Sequence, residues 1–229
     1  DYPAPPFLRW TERLAARSPV AVITVDCFCI VPMRVQPKRF ARAFDFRRHN
    51  RGEFQRRVPR HWADIEPTQP VFAGDPGFEP LDLEQANIAE LCASCAIDHS
   101  IPPVAHTVGG SGAGYARWQR FLRAGLAGYA RNRNDAAIEW PRGVSRLSAY
   151  IHHGQISSFQ VAREAWQHGG DGVEKFLDEL LIWRELAFNF CFFTDDPEVV
   201  AALPEWARAT LQEHAQDPRP KILDPETLA

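Results

Sequence analysis

This 229-residue sequence lacks a strong net charge, a long apolar run and any abundance of lysine. Its formal net charge of −3 excludes a global basic field, so any contact with nucleic acid has to come from local patches. The only lysines are Lys38, Lys175 and Lys221, and arginines concentrate between Arg34 and Arg60. Such an arginine run is more typical of a solvated helical face than of a phosphate-binding surface. No apolar run reaches the roughly 18 residues of a membrane-spanning helix, so we expect no membrane partner.

Cysteine is also sparse, and its pattern favours a reducing compartment. The five cysteines are an odd number, and no signal-peptide pattern is present. We therefore expect a cytoplasmic protein, of a bacterial cytoplasm or nucleoid. Cys92 and Cys95 form a CxxC, but no second pair follows at metal-ligand spacing. Two small residues on a helix explain this pair better than a metal does, so we expect no metal site.

Both ends of the sequence suggest a piece of a longer protein. The first residue is Asp1 rather than Met. Near the other end, Asp224 and Pro225 form a typical helix start, with the cap and first-turn proline in place but no helix behind them.

The first half of the chain combines a helix, a strand and a proline-rich stretch. Helical periodicity covers Phe7–Arg17, and the β-branched run Val20–Val25 predicts a buried strand of an α/β unit. Arg39–Arg57 and Leu81–Ala93 are further helix candidates, whereas Pro59–Pro80 is typical of an extended connector. The glycine-rich stretch over residues 109–114 lacks the strand and the Lys-Ser/Thr of a phosphate loop, so we interpret it as a hinge.

The second half is helical throughout. From Tyr115 onward, aromatic and apolar residues recur at steps of three and four. Ser157 or Ser158 is expected to cap a helix that ends at His168. Asp171 is expected to cap a long apolar helix that ends near Phe192, and a last helix spans Pro204–Ala215.

Three polar segments stand out in this helical half. Tyr129 and Arg133 share a helix face and could clamp a ring and a phosphate, although an arginine that complements the helix dipole is the commoner explanation. Ser145 and Ser148 precede a short helix over residues 150–154. They could bind a pyrophosphate or simply cap the helix.

The third segment pairs a carboxyl with an indole. Glu179 and Trp183 are four residues apart, so an α-helix would place them on one face. There they could receive a flat heterocycle, which would stack on the indole while the carboxyl binds its edge. The alternative is a core Trp183 beside a solvated Glu179.

Taken together and in this order, the segments resemble the class II cyclobutane pyrimidine dimer photolyases. That family shows Tyr-x-x-x-Arg-Asn-Asp, as in Tyr129–Asp135. It then shows Leu-Ser-Pro-Tyr-Leu-His-Phe-Gly-Gln-Ile-Ser, where this chain has Leu147-Ser-Ala-Tyr-Ile-His-His-Gly-Gln-Ile-Ser157. An acidic helix and Asn-Phe-Cys follow, as in 176–191 here. Further matching segments are Val25-Asp26, Val31-Pro32, Ile97–Pro103, Glu205–Ala207 and Leu211–His214.

The resemblance implies a fold and domains. The chain would be mainly α, with a partial α/β, Rossmann-like remnant of an antenna domain over residues 1–35. An interdomain linker with short helices would cover 36–112. The first half of an all-α domain that binds flavin adenine dinucleotide (FAD) would cover 113–229, incomplete at its C-terminus.

The resemblance also implies a function and a site. The family uses light and FAD to split pyrimidine dimers in DNA, and its members act as monomers. Tyr129, Ser145, Arg146, Leu147 and Ser148 would bind FAD. Four residues would bind DNA that contains the dimer: Arg133, Asn134, Glu179 and Trp183. Of these, Glu179 and Asn134 would also be catalytic.

Several departures qualify this expectation. Ala149 stands where the family usually has Pro, His153 where it usually has Phe, and Val144 provides no hydroxyl beside Ser145. The resemblance also implies that the family's C-terminal half, which completes the flavin cavity, would be absent from this piece. We therefore expect the piece alone to hold flavin poorly and to lack repair activity. A cryptochrome-like flavin photoreceptor and a flavin-free remnant remain alternatives.

Overall fold

A computed structural model describes residues 6–61, 73–82 and 84–218. Its α-helices are α1 (Phe7–Arg17), α2 (Ala43–Arg57), α3 (Ile88–Ala93), α4 (Ser111–Ala124), α5 (Tyr129–Asn132), α6 (Ser148–His152), α7 (Ser158–His168), α8 (Val173–Leu177), α9 (Arg184–Phe192) and α10 (Glu205–Glu213). Between α8 and α9, Asp178–Trp183 continue the same rod in π-helical geometry. Short 3₁₀ turns lie at Met33–Val35, Leu126–Gly128 and Val200–Ala202.

The strand predicted for Val20–Val25 is not found. Within the described parts of the chain no residue is in a β-strand, and Val20, Ile23 and Val25 are 72%, 86% and 61% exposed. A strand needs a neighbour to pair its N–H and C=O groups, and no described segment provides one. The prediction of a buried strand is therefore wrong, and the Rossmann-like remnant is not confirmed. The helical character expected of residues 113–218 is observed.

The core of the helical part is an aromatic cluster between α4 and α8. The rings of Trp118 and Phe176 stack with their centroids 5.5 Å apart, and Phe121 lies 5.6 Å from Phe176. The chain approaches itself closely at Gly172, where an added Cβ would lie only 1.7 Å from the Leu126 carbonyl oxygen. This contact brings the start of α8 against the turn that precedes α5, and so fixes where α5 and α8 meet.

Residues 28–40 pack onto α9 through buried side chains. The Glu185 Oε1 atom accepts a hydrogen bond from the Ile30 N–H at 2.7 Å. Asn189 accepts from the Phe40 N–H at 2.8 Å and donates to the Lys38 carbonyl at 3.1 Å. Both Glu185 and Asn189 are fully buried. Because each bond joins residues about 150 positions apart, the first half of the chain is fastened to the helical half.

Helix ends follow the sequence signals in part. The bounds predicted for α1 are confirmed, and the Ser157 hydroxyl caps α7 by accepting from the Gln160 N–H at 3.3 Å. The predicted cap at Asp171 is wrong, because Gly172 directly precedes α8 and no side chain caps that end. The helix predicted from Leu81 starts only at Ile88, since Asn87 provides an N-cap there.

Some of the other predicted elements are confirmed within a few residues, and some lie outside the residues that the structure describes. The Arg39–Arg57 candidate forms α2, and α10 covers most of Pro204–Ala215. The hinge predicted for 109–114 is wrong for residues 111–114, because α4 begins at Ser111. Part of the Pro59–Pro80 connector and the Asp224–Pro225 signal lie outside the described residues. None of the described helices is long and apolar enough to span a bilayer.

Candidate functional site

A cavity of about 470 Å³ opens between α5, α6 and the α8–α9 rod. Its lining includes five of the residues that the sequence singled out: Tyr129, Ser145, Leu147, Ser148 and Glu179. These side chains come from segments up to 50 positions apart. The volume lies in the range of about 300 to 1,000 Å³ that is usual for small-molecule sites.

The walls of this cavity are largely aromatic and aliphatic. Phe28, Phe176 and Phe188 contribute rings, and Ile151 and Leu180 contribute aliphatic surface. Flat apolar walls favour a flat ring system, because contact between the ring and the walls removes the apolar surface of both from water and allows stacking. The residues present therefore fit part of a flavin, whose ring system is planar and largely apolar.

Tyr129 presents a protonated hydroxyl at one side of the cavity. Its ring packs edge-on against Phe121 and Phe176, at centroid distances of 5.8 Å and 5.5 Å. Burial raises the pKa of the Tyr129 phenol, and the negative charge of Glu179 raises it further. The phenol consequently stays neutral at physiological pH and can donate a hydrogen bond to a ligand.

The loop before α6 has an unusual backbone at Arg146. Its φ of +53° lies in the left-handed region, which a residue with a Cβ rarely adopts. Leu147, which follows, is buried and serves as the N-cap of α6. No side chain caps this five-residue helix, so the alternative that Ser145 or Ser148 caps it is wrong. Both serine hydroxyls instead remain at the cavity lining.

Glu179 is held by two cations. Its Oε1 atom lies 2.7 Å from Lys175 Nζ and 3.1 Å from Arg133 Nη1. All three side chains are partly buried, with between 27% and 29% of their surface exposed. Arg133 Nε is buried and has no hydrogen-bond partner among the described residues. The predicted pairing of Arg133 with Tyr129 is thus better described as one of Arg133 with Glu179.

Trp183 does not line this cavity and is 52% exposed. The prediction that it lies beside Glu179 assumed α-helical spacing, in which residues four apart share a face. Asp178–Trp183 are in π-helical geometry instead, in which residues four apart still lie on nearly the same face, so the placement of Trp183 beside Glu179 stays a prediction. Asn134 and Arg146 are exposed and also lie outside the cavity lining.

Sequence reasoning missed several charged partners of the site. Lys175 also contacts Asp178, with Nζ 3.0 Å from Oδ2. Asp178 Oδ1 in turn accepts from Arg47 Nε on α2 at 3.0 Å. The contact of Lys175 with Glu179 could have been predicted, because the two residues are four positions apart on a helix. No local signal connects Arg47 with Asp178, which are 131 positions apart.

A second cavity of about 770 Å³ lies on the other side of the α8–α9 rod. Its walls include Phe54 of α2, Trp166 of α7 and Leu181 of the π-helical turn. None of the candidate flavin-binding or DNA-binding residues from the sequence lines it. Within the described ranges, no group of three or more His, Cys, Asp or Glu side chains could hold a metal ion.

Several known proteins that are similar to this chain share the name deoxyribodipyrimidine photo-lyase. A deoxyribodipyrimidine photo-lyase of Methanothermobacter thermautotrophicus is 28% identical over 211 residues, or 92% of this chain and 44% of that protein. One of Potorous tridactylus is 28% identical over 227 residues, or 96% of this chain and 40% of its own length. The similarity supports the photolyase family.

A shorter stretch is more alike. A photo-lyase of Oryza sativa subsp. japonica is 40% identical over 111 residues, which are 47% of this chain and 22% of that photo-lyase. The chain spans about two fifths of the length of the first two photo-lyases, by the shares of 44% and 40%. No protein-family model matches the chain.

Proposed function

We propose that this chain is part of a class II photolyase, which repairs cyclobutane pyrimidine dimers in DNA with light and FAD. The observation that carries the proposal is the convergence of Tyr129, Ser145, Leu147, Ser148 and Glu179 on one cavity. Their order along the chain is that of the class II motifs, and the similar proteins are photo-lyases.

The cavity would hold FAD on its aromatic side. The Phe176 and Phe188 rings provide flat surface, and the Tyr129 hydroxyl provides a donor at the edge. Ser145, Ser148 and the backbone of the Arg146 loop would bind the polar part of the cofactor. When bound, FAD would supply the light-driven electron transfer that opens the dimer.

The partner would be DNA that carries a pyrimidine dimer. A dimer cannot be reached inside the duplex, so it has to be turned out into a pocket, and its weakened stacking lowers that cost. Glu179 is the cavity-lining carboxylate that can accept a hydrogen bond from a base edge. Arg133 and Lys175 place positive charge beside it, which would favour negative charge developing on the dimer. Asn134 and Trp183, both exposed, would meet the DNA outside the cavity.

Two alanine variants test these roles. Tyr129→Ala should lower FAD affinity about tenfold, because it removes a donor and aromatic surface. Glu179→Ala should leave FAD affinity unchanged but lower the preference for a duplex with one dimer over an undamaged duplex. The measurements are a flavin fluorescence titration and a duplex-binding titration in the dark. Equal loss of FAD affinity in both variants would refute the assigned roles.

One observation favours a second candidate, a flavin photoreceptor without repair activity. Glu179 is paired with two cations, and Trp183 is 52% exposed and does not line the cavity, so only one of the two groups proposed to recognise the dimer lies at the cavity. Such a protein would bind FAD yet show no preference for the dimer-containing duplex. The same duplex-binding titration separates the two functions.

A further inference from the structure

We propose that Lys175 is a positioning residue that holds Glu179 in place for a base edge, and that Asp178 and Arg47 hold Lys175 in turn. This inference rests on the proposed function, because it assumes that Glu179 receives the dimer. Neither the sequence motifs nor the family resemblance involves Lys175.

The contacts of Glu179 are the first ground for this role. Lys175 Nζ and Arg133 Nη1 both make their closest approach to Oε1, at 2.7 Å and 3.1 Å. Both cations thus approach the same oxygen, on a residue that lines the cavity. A carboxylate fixed through one oxygen can offer the other in a defined direction.

The second ground is that Lys175 is itself tethered. Its Nζ lies 3.0 Å from Asp178 Oδ2, and Asp178 Oδ1 accepts from Arg47 Nε at 3.0 Å. The Asp178 side chain is only 14% exposed. Arg47, Lys175 and Asp178 line the second cavity and not the candidate cavity, so the tether holds Glu179 from behind, away from the proposed ligand.

The third ground is that residue 175 is a lysine in a chain whose basic residues are mostly arginines. Asp178 and Glu179 are consecutive, so two like charges lie side by side on one turn. An ammonium group is a compact charge with three donors and can serve two carboxylates that are not coplanar, whereas a planar guanidinium suits one. The hydrogen bond to Glu179 raises the pKa of Lys175, so the ammonium form persists.

Lys175 could instead contact a DNA phosphate directly, and the two roles differ in salt dependence. Each phosphate contact that is lost lowers the slope of log affinity against log salt by about 0.9 for duplex DNA. A lysine that acts only through Glu179 releases no counterion from DNA, so its loss leaves the slope unchanged.

The test uses the 229-residue chain and measures the preference for a duplex with one pyrimidine dimer over the undamaged duplex. Lys175→Met should lower this preference about tenfold, the loss expected for a charge-assisted hydrogen bond. Lys175→Arg should recover part of it. Lys38→Met, which changes the lysine over the Phe40 ring, is the matched control and should retain the preference. If Lys175→Met does not fold, Asp178→Asn loosens the tether and should give a smaller loss.

A double variant decides whether Lys175 acts through Glu179. In a Glu179→Gln background, Lys175→Met should cause no further loss of preference, because the group it positions is already changed. An undiminished further loss, or a salt slope reduced by about 0.9, would overturn the inference and indicate a phosphate contact.

The remaining outcomes separate this inference from the proposed function. If Glu179→Gln lowers the preference and Lys175→Met does not, only the positioning role is overturned. If Glu179→Gln has no effect, or the unaltered chain shows no preference for the dimer, the proposed role of Glu179 is refuted and the inference is refuted with it.

Discussion

Glu185 is a buried carboxyl that does not line the candidate cavity. It is fully buried, and its Oε2 atom has no hydrogen-bond partner among the described residues. Burial raises the pKa of Glu185 to about 8, although the Ile30 N–H bond and the Arg184 charge act to lower it. The other titratable groups that affect it or are affected by it are Asp26 and Cys29. Its function is structural, since it holds residues 28–31 against α9.

This shift predicts how stability depends on pH. In the unfolded chain the carboxyl ionises near its ordinary pKa of 4.5, whereas in the folded chain it stays neutral until about pH 8. The contribution to stability is therefore complete below pH 4.5 and is lost as the pH rises towards 8. The total loss is on the order of a few kcal/mol.

Glu185→Gln should flatten this dependence, because the amide cannot ionise. The measurement is the free energy of urea unfolding at about pH 5 and about pH 8. Glu205→Gln, at an exposed position of α10, should follow the unaltered chain. A Glu185→Gln variant that loses as much stability with rising pH as the unaltered chain would contradict this explanation.

At the scale of elements, Asn189 fastens the segment around Lys38–Phe40 to α9. Asn189→Ala should destabilise the fold by about 2 to 4 kcal/mol, because the Phe40 N–H and the Lys38 carbonyl lose their partner while buried. Asn87→Ala is the control, since it removes only the cap of the exposed helix α3 and should cost about 1 kcal/mol. Equal losses in a urea unfolding titration would show that α9 does not hold this segment.

How much of the fold could be predicted depends on whether the signal is local. The spacing of apolar residues and the Ser157 cap placed α1 and α7 correctly, because helices are closed by near neighbours. The strand predicted for Val20–Val25 is wrong because a strand needs a second strand to pair with, and the described residues provide none.

The candidate site shows the same division. Motif order identified Tyr129, Leu147 and Glu179, which do line one cavity. Trp183, which the same motif identified, lies outside the cavity lining, because helical spacing predicts which residues share a face and not which of them a cavity includes. The contact of Arg47 with Asp178 could not have been predicted, since it depends on how α2 packs against the α8–α9 rod.

At the scale of the whole molecule, two cavities lie on opposite sides of that rod. The smaller cavity is lined by five of the candidate site residues from the sequence, and none of those candidates lines the larger cavity. We propose that FAD would occupy the smaller cavity, because the aromatic walls and polar side chains of that cavity suit a flavin. Two exposed alanines allow this choice to be tested, since Ala187 lines the smaller cavity and Ala130 lines the larger.

The most direct measurement is an FAD titration of the chain and of Ala187→Trp and Ala130→Trp, followed by flavin fluorescence. Each variant fills one cavity from an exposed position and leaves the buried core unchanged. We expect weak but saturable binding that Ala187→Trp weakens at least about tenfold and Ala130→Trp leaves unchanged. Binding that only Ala130→Trp weakens, or no saturable binding by the unaltered chain, would contradict the assignment of FAD to this cavity.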